Sequence, residues 1–120
     1  MKFKSGADIP VGTIVYKKVY YDKYTHREVA AVLTCVVTKP GFCPSYNNGG
    51  KCRVREVKVL RAESIGGIQL TETQFYSLYD SSFKYKLGHR TRRNTFNTDI
   101  HEVCTDGIHV FLSKSLARKY

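Results

Sequence analysis

The chain is 120 residues long, 42% of them hydrophobic, and sets 20 Lys and Arg against 10 Asp and Glu for a net charge of +10. That length suits one domain with a real core, and the apolar fraction argues against disorder. No apolar run approaches the roughly 20 residues of a membrane-spanning helix, and Met1–Asp8 lacks the apolar core of a signal peptide, so a soluble intracellular protein is expected.

Residues 1–11 read as a polar leader. Gly12–Tyr20 is rich in β-branched and aromatic residues and predicts a strand. Tyr21–Thr25 then predicts a hairpin turn. Val29–Val37 is nearly continuous in apolar and β-branched residues, which predicts a strand buried on both faces and paired antiparallel with the first. Between Pro40 and Gly50, two prolines, three glycines and two asparagines predict the longest loop. Lys51–Glu63 predicts a strand whose alternation slips, since Val54 lies on one parity and Val57 and Val59 on the other. A β-bulge near Arg55–Glu56, or burial of both faces, would accommodate the slip. Ser64–Gly67 is a turn. Within Ile68–Asp80, Phe75, Leu78 and Tyr79 at helical spacing after Thr71 predict a helical turn. Phe83, Tyr85 and Leu87 alternate with Lys84 and Lys86 in a clean strand, followed by a basic turn. Gly107–Leu112 predicts the last strand. Ser113 is placed to cap a closing helix over Lys114–Tyr120, with Arg118 and Lys119 favourably at its C-terminal end. Several strands and at most two short helices, with no internal repeat, predict a single α+β domain over residues 1–120. Its sheet is mainly antiparallel, and the C-terminal helix follows the last strand.

Four cysteines, Cys35, Cys43, Cys52 and Cys104, read as buried thiols behaving as small hydrophobes. An intracellular setting disfavours disulfides, and adding His26, His89, His101 or His109 to the cysteines produces no zinc-ligand spacing. Neither a metal nor a cofactor is expected. His101-Glu102 with Cys104 has the residue types of a Cys/His nucleophilic pair. No spacing places that thiol against an imidazole, and a non-catalytic protein is expected.

The basic residues are better organised. Arg53, Arg55, Lys58 and Arg61 come from one predicted strand, Lys84 and Lys86 share a strand face, and Arg90, Arg92 and Arg93 crowd the turn after it. If those two strands are neighbours, their charges form a continuous stripe of the kind a phosphate backbone needs. Nine tyrosines and six phenylalanines offer stacking surfaces for unpaired bases, although a chain with no Trp and one Met needs most of them for its core. Such contacts position a nucleic acid without reading its sequence. The expectation is a non-catalytic binder of a polyanion, foremost nucleic acid, through a basic sheet face. The alternative is a structural or protein-interaction module whose basic face meets an acidic protein, with no membrane involved.

Three segments carry a family resemblance. They are Gly12-x-x-Val15-Tyr16-Lys17-Lys18; Gly50-Lys51-Cys52-Arg53 leading into Val57-Lys58-Val59-Leu60; and Phe83-x-Tyr85-Lys86-x-Gly88 followed by Cys104-x-x-Gly107-Ile108-His109-x-Phe111 and Ala117-x-x-Tyr120. In this order and spacing the chain resembles an uncharacterised domain of phage and giant-virus proteins, often found beside pentapeptide repeats. The resemblance covers most of the chain. It implies a shared fold and a viral or phage origin, with the protein in the cytoplasm of an infected cell or in the virion, and makes the alternative a virion-structural or host-protein interaction module, but it carries no known chemistry. More weakly, Gly107–Phe111 with Ser113-Lys114-Ser115 is similar to a strand–helix element of the ADP-ribosyltransferase fold. That likeness implies a nucleotide pocket at Tyr16, His109, Ser113 and Ser115. The catalytic glutamate of that fold lies on a later strand and no residue follows Tyr120, so the likeness implies an inactive nucleotide-binding relative. Alternation points His109 away from Ile108 and Val110, toward a structural hydrogen bond.

Overall fold

Side chains alternate between the faces of a strand, and that period decides where this chain's many β-branched residues go. The computed structural model describes residues 7–23, 27–43, 51–77, 84–92 and 108–119. Within them the elements run Ala7–Ile9 (β1), Ile14–Lys23 (β2), Arg27–Lys39 (β3), Gly41–Cys43 (β4), Lys51–Val54 (β5), Glu56–Ser64 (β6), Gln74–Tyr76 (β7), Lys84–Lys86 (β8), Arg90–Arg92 (β9), Ile108–Phe111 (β10) and the helix Lys114–Lys119 (α1). The result is a curled, mostly antiparallel sheet with one short helix after its last strand, in keeping with the broad α+β class.

The strand order is β1-β4-β5-β10-β2-β3-β6-β9, with β7 joining β2 to β8. The long β2–β3 pair is antiparallel, in register from Ile14 opposite Val36 to Lys23 opposite Arg27. Backbone hydrogen bonds curl the sheet back on itself. Gly88 N donates to Val59 O at 2.8 Å, Val59 N donates to His89 O at 3.0 Å, and Leu87 N donates to Thr73 O at 2.8 Å. Thus β2, β3, β6, β9, β8 and β7 follow one another around a ring, with the turn between β8 and β9 hydrogen-bonded to β6.

The inward parity fills that ring. Val15, Val19, Leu33, Val37, Val57, Val59 and Phe75 are fully buried, joined by Tyr21, Cys35 and Tyr85. Tyr21 and Phe75 meet edge to face, their centroids 5.7 Å apart. On the opposite face, α1 lays Ala117 over Val32 and Phe111, with Tyr16 packed beside them. Ala31, Val32 and Leu33 are therefore buried on both faces of β3, as their composition predicts.

Several sequence expectations are revised. The leader contains a strand, because β1 pairs with β4 and buries Ile9. The long loop likewise begins as β4, while residues 44–50 lie outside those described. A Cβ on Gly41 would stand 2.6 Å from Val54 Cγ1 and collide with Arg53 O, so glycine permits the close approach of β4 to β5. The hairpin turn is not at Tyr21, since burial of that ring against Phe75 carries β2 on to Lys23. Lys51–Glu63 is two strands broken at Arg55; one register shift lies beside that break, where Val57 and Glu56 face Val37 and Lys39, and a second lies where Arg61 and Val59 face Thr34 and Cys35. The helical turn is instead the strand β7, whose Phe75 points inward while Gln74 and Tyr76 pair with Lys86 and Lys84. Its other helical markers, Leu78 and Tyr79, lie outside the described residues. The turn after β8 is Leu87–His89, with Gly88 at φ 81°, and Arg90–Arg92 is strand.

Candidate polyanion-binding face

On β6 the inward residues Val57 and Val59 alternate with the exposed Lys58, and beyond the register shift Arg61 is also exposed. The same alternation on β8 turns Tyr85 inward and leaves Lys84 and Lys86 exposed. On β9, Thr91 is inward while Arg90 and Arg92 are exposed. Register then brings the charges together: Lys58 lies opposite Arg90, and Glu56 opposite Arg92. Like charges directly opposite one another on a sheet destabilise it. Glu56 is nearly buried and its Oε1 accepts a 2.8 Å hydrogen bond from Thr38 Oγ1. Among the described residues, no carboxylate forms an ion pair with Lys58, Lys86, Arg90 or Arg92.

Arg53 stands apart from this face. It is 0% exposed on β5, a central strand between β4 and β10, where it lies opposite Phe42 and His109 in register. Parity had grouped it with Arg55 and Arg61, but the break at Arg55 separates the two strands, and only Arg55 and Arg61 reach solvent. Arg93 lies outside the described residues.

The residues of the implied nucleotide pocket sit around α1. Phe111 is the register partner of Tyr16, whose ring centroid is 5.7 Å from Lys114 Nζ. The Ser113 and Ser115 hydroxyls hydrogen-bond each other at 2.9 Å. His109 is half-buried between the buried Ile108 and Val110, and its backbone carbonyl accepts a 2.8 Å bond from Lys17 Nζ. The Tyr16 ring is thus engaged in docking the helix.

Sequence reasoning missed the ion pair that holds the helix down. Lys114 Nζ is 2.5 Å from Glu63 Oε1, and Glu63 is nearly out of solvent. The Lys114 ammonium holds the Glu63 carboxyl below the usual carboxylate range, against the opposing effect of burial. Nothing local in the sequence couples these residues. Also missed was the disulfide at Cys52, which revises the reading of that residue as a free thiol, whereas Cys35 is free and buried. A disulfide needs Cα atoms about 4–7 Å apart, a condition set by strand pairing rather than by sequence spacing. The side chains of Cys43 and Cys104 lie outside those described.

No His, Cys, Asp or Glu cluster among the described residues could hold a metal ion, and no helix there is long and apolar enough to cross a membrane. A curled antiparallel sheet closed by a short helix, with cations gathered on its outer face, is the class of domain these features define. Residues 3–117 match the model of a family of unknown function, DUF5758, and the chain belongs to that family. Neither the curated proteins nor the solved structures yield a match.

Proposed function

We propose that this domain binds a polyanion, foremost a nucleic acid backbone, through the outer face of β6, β8 and β9, without catalysing a reaction. The observation that carries the reading is the juxtaposition of Lys58 and Arg90 across β6–β9, continued by Lys86 and Arg92 with no ion-pairing carboxylate among the described residues. An extended anion relieves the repulsion between facing cations and releases its own condensed counterions. Arg55, Arg61 and Lys84 extend the charge to either side. The net charge of +10 draws a polyanion toward the protein from a distance. A viral or phage accessory role in an infected cell belongs to the same reading and rests on the resemblance of the Lys51–Leu60 and Cys104–Phe111 segments. The test is a low-salt mobility assay with a labelled random-sequence oligonucleotide. Retardation that fades as salt is added is expected, and unchanged mobility at high protein excess would contradict the proposal.

A further inference from the structure

The outer face of the ring also carries a tyrosine pair that the core does not use. Tyr20 on β2 and Tyr76 on β7 are register partners, with ring centroids 6.5 Å apart and planes tilted by 31°. Their inward neighbours Tyr21 and Phe75 belong to the core, whereas both outward rings stay half-buried at the surface. Lys84, opposite Tyr76 in register, holds its Nζ 5.5 Å from the Tyr76 ring centroid. Tyr76 Oη donates a 3.1 Å hydrogen bond to Asp22 Oδ1, which fixes the ring's direction.

From this pair the cations follow one another round the outside of the ring toward the basic face. Lys86 is two residues beyond Lys84 on the same side of β8, and the Leu87–His89 turn leads to Arg90 opposite Lys58. The band crosses neighbouring strands about 4.8 Å apart and so runs roughly 15–20 Å. Aromatic rings occupy one end and cations the other. A duplex presents phosphates to such a surface but keeps its base faces stacked inside. An unpaired strand presents both, and tyrosine rings among lysines are what its bases stack on.

We infer that the band takes single-stranded nucleic acid, with Tyr20 and Tyr76 stacking on bases while Lys84, Lys86, Arg90 and Lys58 follow the phosphates. This inference rests on the polyanion reading above and adds the class of nucleic acid. The experiment compares a labelled oligothymidine of about 12 nucleotides with a duplex of equal length by fluorescence anisotropy, at one ionic strength. Intrinsic tyrosine emission serves as a second readout, because the chain has no Trp. The single strand should bind about tenfold more tightly than the duplex and quench tyrosine emission. Tyr20→Leu and Tyr76→Leu should each weaken single-strand binding about fivefold or more and leave duplex binding unchanged, while the Tyr→Phe versions retain it. Equal affinity of the native protein for both forms overturns the inference and leaves the polyanion reading standing, whether or not the leucine variants fold. Wild-type affinity in folded leucine variants, or equally tight binding of polyglutamate, overturns it as well. Binding of neither nucleic acid overturns the polyanion reading itself.

Discussion

Burial acts on Cys35 and Glu63 in the same sense, yet their partners give opposite outcomes. Burial pushes the Cys35 thiol up to about 12, and the nearby Lys17 only partly offsets it. A thiol in that state is a poor nucleophile at neutral pH. Cys35 should therefore resist iodoacetamide at pH 8 in the folded protein and be labelled on denaturation, as mass spectrometry of the Cys35 peptide can show. Rapid labelling without denaturant would contradict this. For Glu63, the Lys114 ammonium outweighs burial and lowers the pKa. A carboxyl whose pKa is lower folded than unfolded stabilises the fold above the ordinary carboxylate range, and that contribution is lost as the pH falls through the folded value. Glu63→Gln should cost about 1–2 kcal/mol at pH 7, the lower end reflecting solvent around Lys114. In urea unfolding, the gap between variant and native protein should narrow as the pH is taken below the carboxylate range. A gap independent of pH would remove Lys114 as its cause.

At the scale of elements, the short strands depend on tertiary partners. Gly41→Ala leaves β4 locally able to form a strand but drives a methyl into Arg53 O and Val54. We expect a loss of about 2–3 kcal/mol, read as a lower denaturation midpoint. Unchanged stability would mean that β4 and β5 do not approach this closely. The long elements were legible because their pattern is redundant. Val29–Val37 carries so many β-branched residues that no other assignment competes. By contrast β1, β4 and β7 are three residues each, too short for periodicity to be decisive. Phe75 illustrates the failure: its local spacing to Leu78 and Tyr79 is helical, but its packing against Tyr21 and the pairing of β7 with β8 decide in favour of strand.

For the whole molecule, the question is which charges meet. The alternation of Lys84 and Lys86 with Tyr85 predicts their shared face, and the residue types of β6 mark Lys58 and Arg61 as surface cations. The adjacency of the β6 and β8 strands entered as a condition; β6 pairs instead with β9 and bonds to the Gly88–His89 turn, while β8 itself pairs with β7. Arg53 was misplaced for a matching reason: parity assigns a face to a side chain but not what covers that face. The tyrosine pair was hidden because Tyr20 and Tyr76 become neighbours only through β2–β7 pairing. The central claim is that Lys58, Arg90 and Arg92 neutralise phosphates. Its most direct test is the slope of log affinity against log salt concentration for a random-sequence oligonucleotide, in the native protein and in the Lys58→Gln, Arg90→Gln, Arg92→Gln triple variant. Each lost phosphate contact reduces the slope by about 0.9 on a duplex or about 0.7 on a single strand. The account predicts weaker binding and a slope shallower by roughly two to three units. Equal affinity and equal slope in the folded variant would contradict it.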